Sequence, residues 1–251
     1  MTFFGIEIIT IVLLAFFGIV GPILGRRDLR KLLAAVAAGQ VDARSRWYRH
    51  TILYLWGLLV AGLGAWLLLG HGVVEIGLRP AASGWQWLAW VVSLALCAVM
   101  GFFSARTMGR PDELASVRSQ LGQLSAITPH TNDELRLFYG VSISAGVSEE
   151  ILFRGLIMAP LAAAWGLVPA VLVSSLVFGL SHSYQGVSGA LRSGLVGLVL
   201  ALSVVFTGSL YAAILLHAVL DATQGQMAQA ALDSSGGDGG DAPALDHSAT
   251  A

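Results

Sequence analysis

Residues 189–224 read GALRSGLVGLVLALSVVFTGSLYAAILLHAVLDATQ, two long apolar runs separated only by the turn-like TGS at 207–209. The hydrocarbon core of a bilayer is about 30 Å thick, and an α-helix needs about 20 mostly apolar residues to cross it. Each run is therefore predicted to be one membrane span, over 189–206 and 208–224. The short turn makes the two helices antiparallel neighbours.

The same length criterion, applied outward along the chain, predicts five further spans. They lie near 3–24, 51–69, 86–105, 137–161 and 167–184. Of the 251 residues, 56% are hydrophobic and 12% are charged, a composition outside the range of soluble globular domains. The predicted fold class is all-α, a polytopic integral membrane helical bundle of about seven transmembrane helices. A net charge of -1 argues against a nucleic-acid partner, which calls for a strongly basic face.

Composition and loop length divide the chain into three regions. Residues 1–134 form an N-terminal membrane region of three spans and two basic loops, and residues 135–225 form a core of four spans with short connections. Residues 226–251 are rich in small, polar and acidic residues, so we expect a disordered tail. The segment RRDLRKLLAAVAAG, which begins at Arg26, has apolar residues at helical spacing. It is predicted to be a helix along the inner leaflet or a plain cytoplasmic helix.

Orientation follows from the distribution of arginine and lysine between the loops. Seven basic residues lie in loop 25–50 and four more at 106–136, whereas loop 70–85 contains only Arg79. Short loops rich in positive charge stay in the cytoplasm. The prediction is an integral protein of a bacterial-type plasma membrane, with the N-terminus outside and the C-terminus cytoplasmic.

The stretch AGVSEEILFRG, residues 145–155, places three ionisable side chains within an apolar span. Each costs about 2.5 to 3.5 kcal/mol at the centre of a membrane helix by insertion scales, so function is the first explanation to consider. Glu150 and Arg154 are four residues apart, which predicts an ion pair on one helix face. Glu149 points about 100° away and lacks that partner, so it is a candidate general base.

Two later spans carry polar pairs at the same spacing. VFGLSHS places Phe178 and His182 on one face, and LLHAVLDAT does so for His217 and Asp221. Phe178 is interpreted as a packing residue or a wall of a cavity. The three short-looped spans are therefore expected to bring Glu149 and the three polar residues to a common interior.

These motifs, in this order, resemble the CPBP family of intramembrane proteases, over roughly residues 135–225. That family comprises CAAX-protease and bacteriocin-processing (Abi-like) members and includes the type II prenyl-protein endopeptidase. The resemblance implies that Glu149 and His182 activate a water molecule for attack on a peptide carbonyl. It also implies that Glu150 supports the site through its ion pair, while His217 and Asp221 stabilise the oxyanion. An ionised Asp221 cannot donate a hydrogen bond, so that role needs its protonation or falls mainly to His217.

The four polar residues are compatible with a metal-dependent or a metal-free reaction. Two histidines and two carboxylates are a credible set for zinc or another divalent metal, formed by Glu149, His182, His217 and Asp221. An HExxH motif is absent from the sequence, and carboxylate and histidine can activate water unaided. We favour chemistry that requires no cofactor.

The predicted function is that of an intramembrane endopeptidase with a peptide or lipidated protein substrate, including CAAX-type C-terminal processing. The alternative is a non-proteolytic membrane protein, either a bacteriocin-immunity scaffold or a proton or metal carrier, because intramembrane acids and histidines also build ion paths. A serine mechanism based on GVSG at Gly186–Gly189 leaves the glutamate pair unexplained.

Overall fold

The computed structural model describes residues 2–3 and 6–234, and a helix coincides with each of the seven predicted spans. A two-residue antiparallel strand pair, β1 (Thr2–Phe3) and β2 (Ile6–Glu7), precedes the bundle. The helices are α1 (Ile8–Ala37), α2 (Ala43–Leu68), α3 (Gly84–Met108), α4 (Pro111–Leu121), α5 (132–165), α6 (Leu167–Ser181), α7 (Gly186–Thr207) and α8 (Leu210–Asp233). A 3₁₀ turn, Gly122–Ile127, links α4 to α5.

Four stretches of the described chain are helical, long and apolar enough to cross a membrane. They are Ile8–Ala37, Ala43–Leu68, Gly84–Met108 and Ser183–Thr207. Helix α6 is a shorter apolar helix of 15 residues. Large apolar side chains stand exposed along α2 and α3, as a lipid-facing surface requires. The protein is an all-helical integral membrane bundle, as the apolar runs predicted.

Helix α5 changes its winding immediately after the glutamate pair. It is α-helical to Glu150, π-helical over Ile151–Met158 and α-helical again to its end. Neighbouring helices cap the carbonyl groups of the π segment: Thr10 Oγ1 donates to the Leu156 carbonyl at 2.8 Å, and Ser174 Oγ donates to the Phe153 carbonyl at 3.0 Å. The segment is fully buried, so these hydrogen bonds tie α1 and α6 to the centre of the bundle.

Glycines set the closest approaches between helices of the core. A Cβ atom on Gly146 of α5 would lie 2.8 Å from the Ile214 carbonyl oxygen of α8. On Gly179 of α6, it would lie 2.7 Å from the Ala190 carbonyl oxygen of α7. At each of these glycines, the two helix backbones therefore meet with no room for a side chain. Small residues have the same role in other pairs of membrane helices.

The helix predicted to follow the first span is present, but it is not separate from that span. Residues 25–37 continue α1 without a break, so they form neither a loop nor a separate helix on the leaflet. The segment has good helix formers, and Leu29 and Leu32 are buried against the rest of the bundle. The connection to α2 is reduced to residues 38–42.

The prediction of disorder from residue 226 is wrong for residues 226–233, which continue α8 to Asp233. The alanine-rich sequence favours helix, and Ala228, Gln229 and Ala231 are buried. Gln229 Nε2 donates to Asn132 Oδ1 at 3.3 Å, so the end of α8 is held against the start of α5. The predicted tail from residue 235 onward lies outside the described residues.

The two ends of the bundle differ in charge. We define the basic end as the end at which α1, α3, α6 and α8 terminate and α2, α5 and α7 begin. It carries the connection 38–42 and the segment 109–131, which includes α4. At the opposite end, the Gly77 carbonyl accepts from the Leu210 amide at 2.9 Å, and Arg79 Nε donates to the Gly208 carbonyl at 3.1 Å. These bonds close the loop after α2 against the turn between α7 and α8.

Candidate active site

Glu150 lies at the centre of a buried hydrogen-bonded cluster. Its Oε1 accepts from Arg154 Nη1 at 2.9 Å and contacts His217 Nδ1 at 2.7 Å, and both Glu150 and Arg154 are fully buried. The ion pair within α5 is the one that the four-residue spacing predicts. The contact with His217 was not predicted, because helical spacing relates residues of one helix and says nothing about a partner 67 positions away. Glu150 thereby joins α5 to α8.

Arg154 extends the cluster to α7 and α6. Its Nη2 donates to the Gly197 carbonyl at 2.7 Å, and its guanidinium carbon lies 4.6 Å from the centroid of the Phe178 ring. A Cβ atom on Gly197 would lie 3.1 Å from that ring and 3.3 Å from Arg154 Nη2. Glycine at this position therefore lets α7 approach the guanidinium. Phe178 packs between the arginine and the two histidines rather than against lipid.

His217 has its two ring nitrogens in different surroundings. A carboxylate only accepts hydrogen bonds, so Nδ1 carries the proton in the contact with Glu150. Nε2 lies 3.8 Å from Glu149 Oε2 and 3.7 Å from Asp221 Oδ2, as expected for residues 217 and 221 on one face. Both distances exceed hydrogen-bond length. A water or substrate oxygen could bridge His217 Nε2 to either carboxylate.

Glu149 and Glu150 are adjacent in sequence but face different environments. The Glu150 side chain is fully buried within the bundle, whereas the Glu149 side chain is 16% exposed and lines a cavity. Glu149 Oε2 is buried and has no hydrogen-bond partner within the described residues. The carboxylate is therefore the less constrained member of the pair, with an acceptor atom available to a ligand.

His182 ends α6 and is oriented by the backbone of its own helix. Its Nδ1 lies 2.9 Å from the Phe178 carbonyl oxygen and 3.1 Å from Ser181 Oγ. The carbonyl can only accept, so Nδ1 carries the proton, and in the neutral ring Nε2 is the nitrogen with a free lone pair. The arrangement suits a base that acts through Nε2.

One cavity of about 1270 Å³ reaches this cluster at the half of the bundle nearer the basic end. All four predicted catalytic side chains line it: Glu149, His182, His217 and Asp221. Apolar side chains of α2, α5 and the 3₁₀ turn form other walls, including Leu55, Phe138, Leu124 and Ile127. The cavity is large enough for a peptide, and it combines apolar walls with a few convergent polar groups, the usual character of a binding site.

Comparison with known families finds one similar family. The model of the family described as type II CAAX prenyl endopeptidase, Rce1-like, matches residues 131–223. The matched segment runs from the start of α5 into α8 and contains all three polar motifs. Residues 131–223 are therefore similar to the Rce1-like family. No curated protein and no solved structure matches the chain. The family implies a protease in general, and the resemblance inferred from the motifs is confirmed.

The four side chains considered as metal ligands line one cavity, and both histidines among them have one ring nitrogen in a protein contact. Within the part of the chain that the structure describes, no three His, Cys, Asp or Glu side chains are arranged to hold a metal ion. His217 Nδ1 is committed to Glu150, and His182 Nδ1 to a backbone carbonyl.

Several cavity residues were missed by the sequence reasoning. The cavity is also lined by Arg26 of α1, by Tyr184 and Gln185 of the turn after α6, and by Arg192 of α7. Arg26 was used only as a marker of orientation and Arg192 was not singled out, because no motif spacing links either arginine to the acidic residues. Ser188 of the GVSG tetrapeptide is exposed, and it makes no hydrogen bond to His217 in the described structure.

Proposed function

We propose that the protein is a CAAX-type intramembrane endopeptidase that hydrolyses a peptide bond of a membrane-associated substrate with water activated by Glu149 and His182. The observation that carries the proposal is the convergence of Glu149, His182, His217 and Asp221 on one cavity within an Rce1-like core. No metal takes part in the proposed reaction.

The first step is general-base attack. A water molecule donates hydrogen bonds to the Glu149 carboxylate and to His182 Nε2, the two acceptors that their other contacts leave available. As the water oxygen bonds to the scissile carbonyl carbon, one water proton passes to Glu149 and the carbonyl electron pair moves to oxygen. The tetrahedral intermediate then collapses, the C–N bond breaks, and the leaving nitrogen takes the proton from Glu149.

His217 is the proposed stabiliser of the oxyanion. Its Nδ1–H is held by Glu150, so only the imidazolium form presents a second N–H, from Nε2. The positive charge of Arg154 neutralises the Glu150 carboxylate. A positive charge on His217 would in turn balance the negative charge of Glu149 or of Asp221. Asp221 shares this task only when it is protonated, because a carboxylate has no proton to donate.

The proposed topology places the basic end in the cytoplasm, because positive loops remain on that side of the membrane. Substrate would then enter from the cytoplasmic face or laterally from the lipid. The apolar cavity walls suit an apolar peptide segment or a lipidated tail. The partners are therefore the bilayer and a peptide or lipidated protein, and CAAX-type C-terminal tails are the first substrates to test.

The test uses purified protein in proteoliposomes with a membrane-anchored CAAX-type reporter peptide. We expect Glu149→Gln and His182→Ala each to lower kcat about 100-fold or more, as loss of general-base catalysis does. Glu75→Gln is the matched control, since Glu75 is an exposed glutamate in the loop at the opposite end of the bundle. Elution as a folded monodisperse species checks each variant. Full activity in both site variants would refute the mechanism.

A further inference from the structure

A second cavity, of about 280 Å³, lies at the basic end between the last turns of α1 and the first turns of α2. Three basic side chains line it, Lys31 from α1 and Arg46 and His50 from α2, and Trp47 adds an indole ring. All three basic residues are exposed, so the cavity opens to the surface. We call it the basic pocket. The remaining residues that line it are Asp28, Leu32, Ala35 and Ala43.

The basic pocket lies at the depth where lipid headgroups meet the protein. Residues 8–25 of α1 and 51–68 of α2 contain no Asp, Glu, Lys, Arg or His, so both stretches suit the hydrocarbon core of a bilayer. The pocket residues of α1 begin at Asp28 and those of α2 end at His50, just outside these apolar stretches. Tryptophan is enriched at the same membrane–water boundary, and Trp47 lies there.

The basic groups of the pocket are only loosely held by neighbouring carboxylates. Residues 26–50 contain seven arginines and lysines but only two aspartates. Lys31 Nζ lies 3.4 Å from Asp28 Oδ1, and the Lys31 side chain is 64% exposed. Arg46 Nη1 lies 2.6 Å from Asp42 Oδ2, and the Arg46 side chain is 53% exposed. Exposed ion pairs of this kind contribute little free energy, so an incoming anion can replace the aspartates.

We propose that the basic pocket binds the headgroup phosphate of an anionic phospholipid. The Trp47 indole N–H and the His50 ring have no hydrogen-bond partner among residues 6–234, so both are available beside Lys31 and Arg46. Phosphate oxygens accept charge-assisted hydrogen bonds from such donors, and basic pockets between membrane helices bind anionic headgroups. A phospholipid is the occupant because the pocket adjoins the apolar stretches of two helices that cross the bilayer. Trp47 also lines the large cavity, so the bound lipid borders that cavity.

The test follows thermal unfolding of the purified protein in micelles of an uncharged detergent, titrated with phosphatidylglycerol or with phosphatidylcholine. A ligand that binds only the folded protein raises the unfolding midpoint. We expect the half-saturating concentration to be about 10-fold lower for phosphatidylglycerol, and Lys31→Gln/Arg46→Gln to remove most of this difference. Arg118→Gln is the matched control, because Arg118 is an exposed arginine at the basic end that does not line the pocket. It should leave the affinity for phosphatidylglycerol unchanged.

Asp28→Asn gives a result that a folding defect cannot imitate. Its carboxylate lines the pocket, repels phosphate and competes for Lys31, so the variant should bind phosphatidylglycerol about 3-fold more tightly. An unchanged or weaker affinity of this variant would place the phosphate elsewhere and contradict the proposal.

Three further outcomes would overturn the proposal, and none depends on peptidase activity. One is an equal response to phosphatidylglycerol and phosphatidylcholine. Another is an equal loss of affinity in Lys31→Gln/Arg46→Gln and Arg118→Gln, because the attraction would then be spread over the whole basic end. The third is a rise of the midpoint with inorganic phosphate alone at the concentrations at which phosphatidylglycerol acts, which would assign the pocket to a soluble anion.

Discussion

Glu150 illustrates how a single residue can be structural although it lies beside the reacting groups. It is fully buried and holds Arg154 of its own helix and His217 of α8 on one oxygen. Removal of one partner from a buried ion pair leaves an uncompensated charge, which costs about 3 to 5 kcal/mol. Its neighbour Glu149 has no such role, since its buried Oε2 has no hydrogen-bond partner in the described chain and lies 3.8 Å from His217 Nε2.

Glu150→Ala is therefore expected to destabilise the protein strongly, by about 3 to 5 kcal/mol, because Arg154 loses its carboxylate and His217 its anchor. The measurement is unfolding in detergent, followed by helical circular dichroism. Glu149→Ala is the matched control and should stay within about 1 kcal/mol of the unmodified protein. Equal stabilities of the two variants would contradict the division of roles.

At the residue scale, sequence spacing predicted contacts along one helix and missed those between helices. The Glu150–Arg154 pair and the nearness of His217 to Asp221 followed from four-residue spacing. The Glu150–His217 contact depends on the packing of α5 against α8, which no local pattern encodes. Arg26 and Arg192 were missed as cavity residues for the same reason, since neither loop charge nor a position near a span end shows which cavity a side chain faces.

Helix–helix contacts at glycine hold the elements of the site in place. At Gly146, α5 meets the backbone of α8 three residues before the glutamate pair, and a Cβ there would lie 2.8 Å from the Ile214 carbonyl. A backbone atom cannot move aside as a flexible side chain does, so any larger residue must separate the two helices. Such a separation would also lengthen the contact between Glu150 and His217.

Gly146→Ala is expected to lower both the thermal midpoint and the activity, even though alanine favours helix over glycine. Gly57→Ala in α2 is the control, since a Cβ there meets nothing within 4 Å, and its expected effect is neutral or slightly stabilising. Thermal unfolding in detergent and reporter cleavage are measured on both variants. Indistinguishable behaviour of the two would show that the α5–α8 contact does not support the site.

At the element scale, apolar run length predicted where helices lie but not how they wind or end. Seven runs corresponded to seven helices. The π segment Ile151–Met158 has no composition signal, and it is stabilised by hydrogen bonds from Thr10 and Ser174 on other helices. Residues 25–37 were predicted to form a helix separate from the first span, and residues 226–233 were predicted to be disordered. Both segments instead extend a neighbouring helix and bury side chains against the bundle.

At the scale of the whole molecule, orientation in the membrane decides which side supplies the substrate. The proposed topology has the basic end in the cytoplasm and loop 69–83 outside. In a Cys97→Ala background, Glu75→Cys should react with a membrane-impermeant maleimide added to intact cells, because Glu75 is exposed in that loop. Arg118→Cys, in α4 at the basic end, should react only after the membrane is opened. The reverse labelling pattern would place the cavity mouth on the outer face.

The most direct measurement of the central claim is reporter cleavage by the purified protein and its Glu149→Gln variant after exhaustive treatment with a metal chelator. The unmodified protein is expected to keep its kcat/KM in the chelator, and the variant is expected to lose about 100-fold or more under both conditions. Activity of the unmodified protein that disappears in chelator and returns with zinc, or a variant that cleaves at the unmodified rate, would contradict water activation by Glu149 and His182.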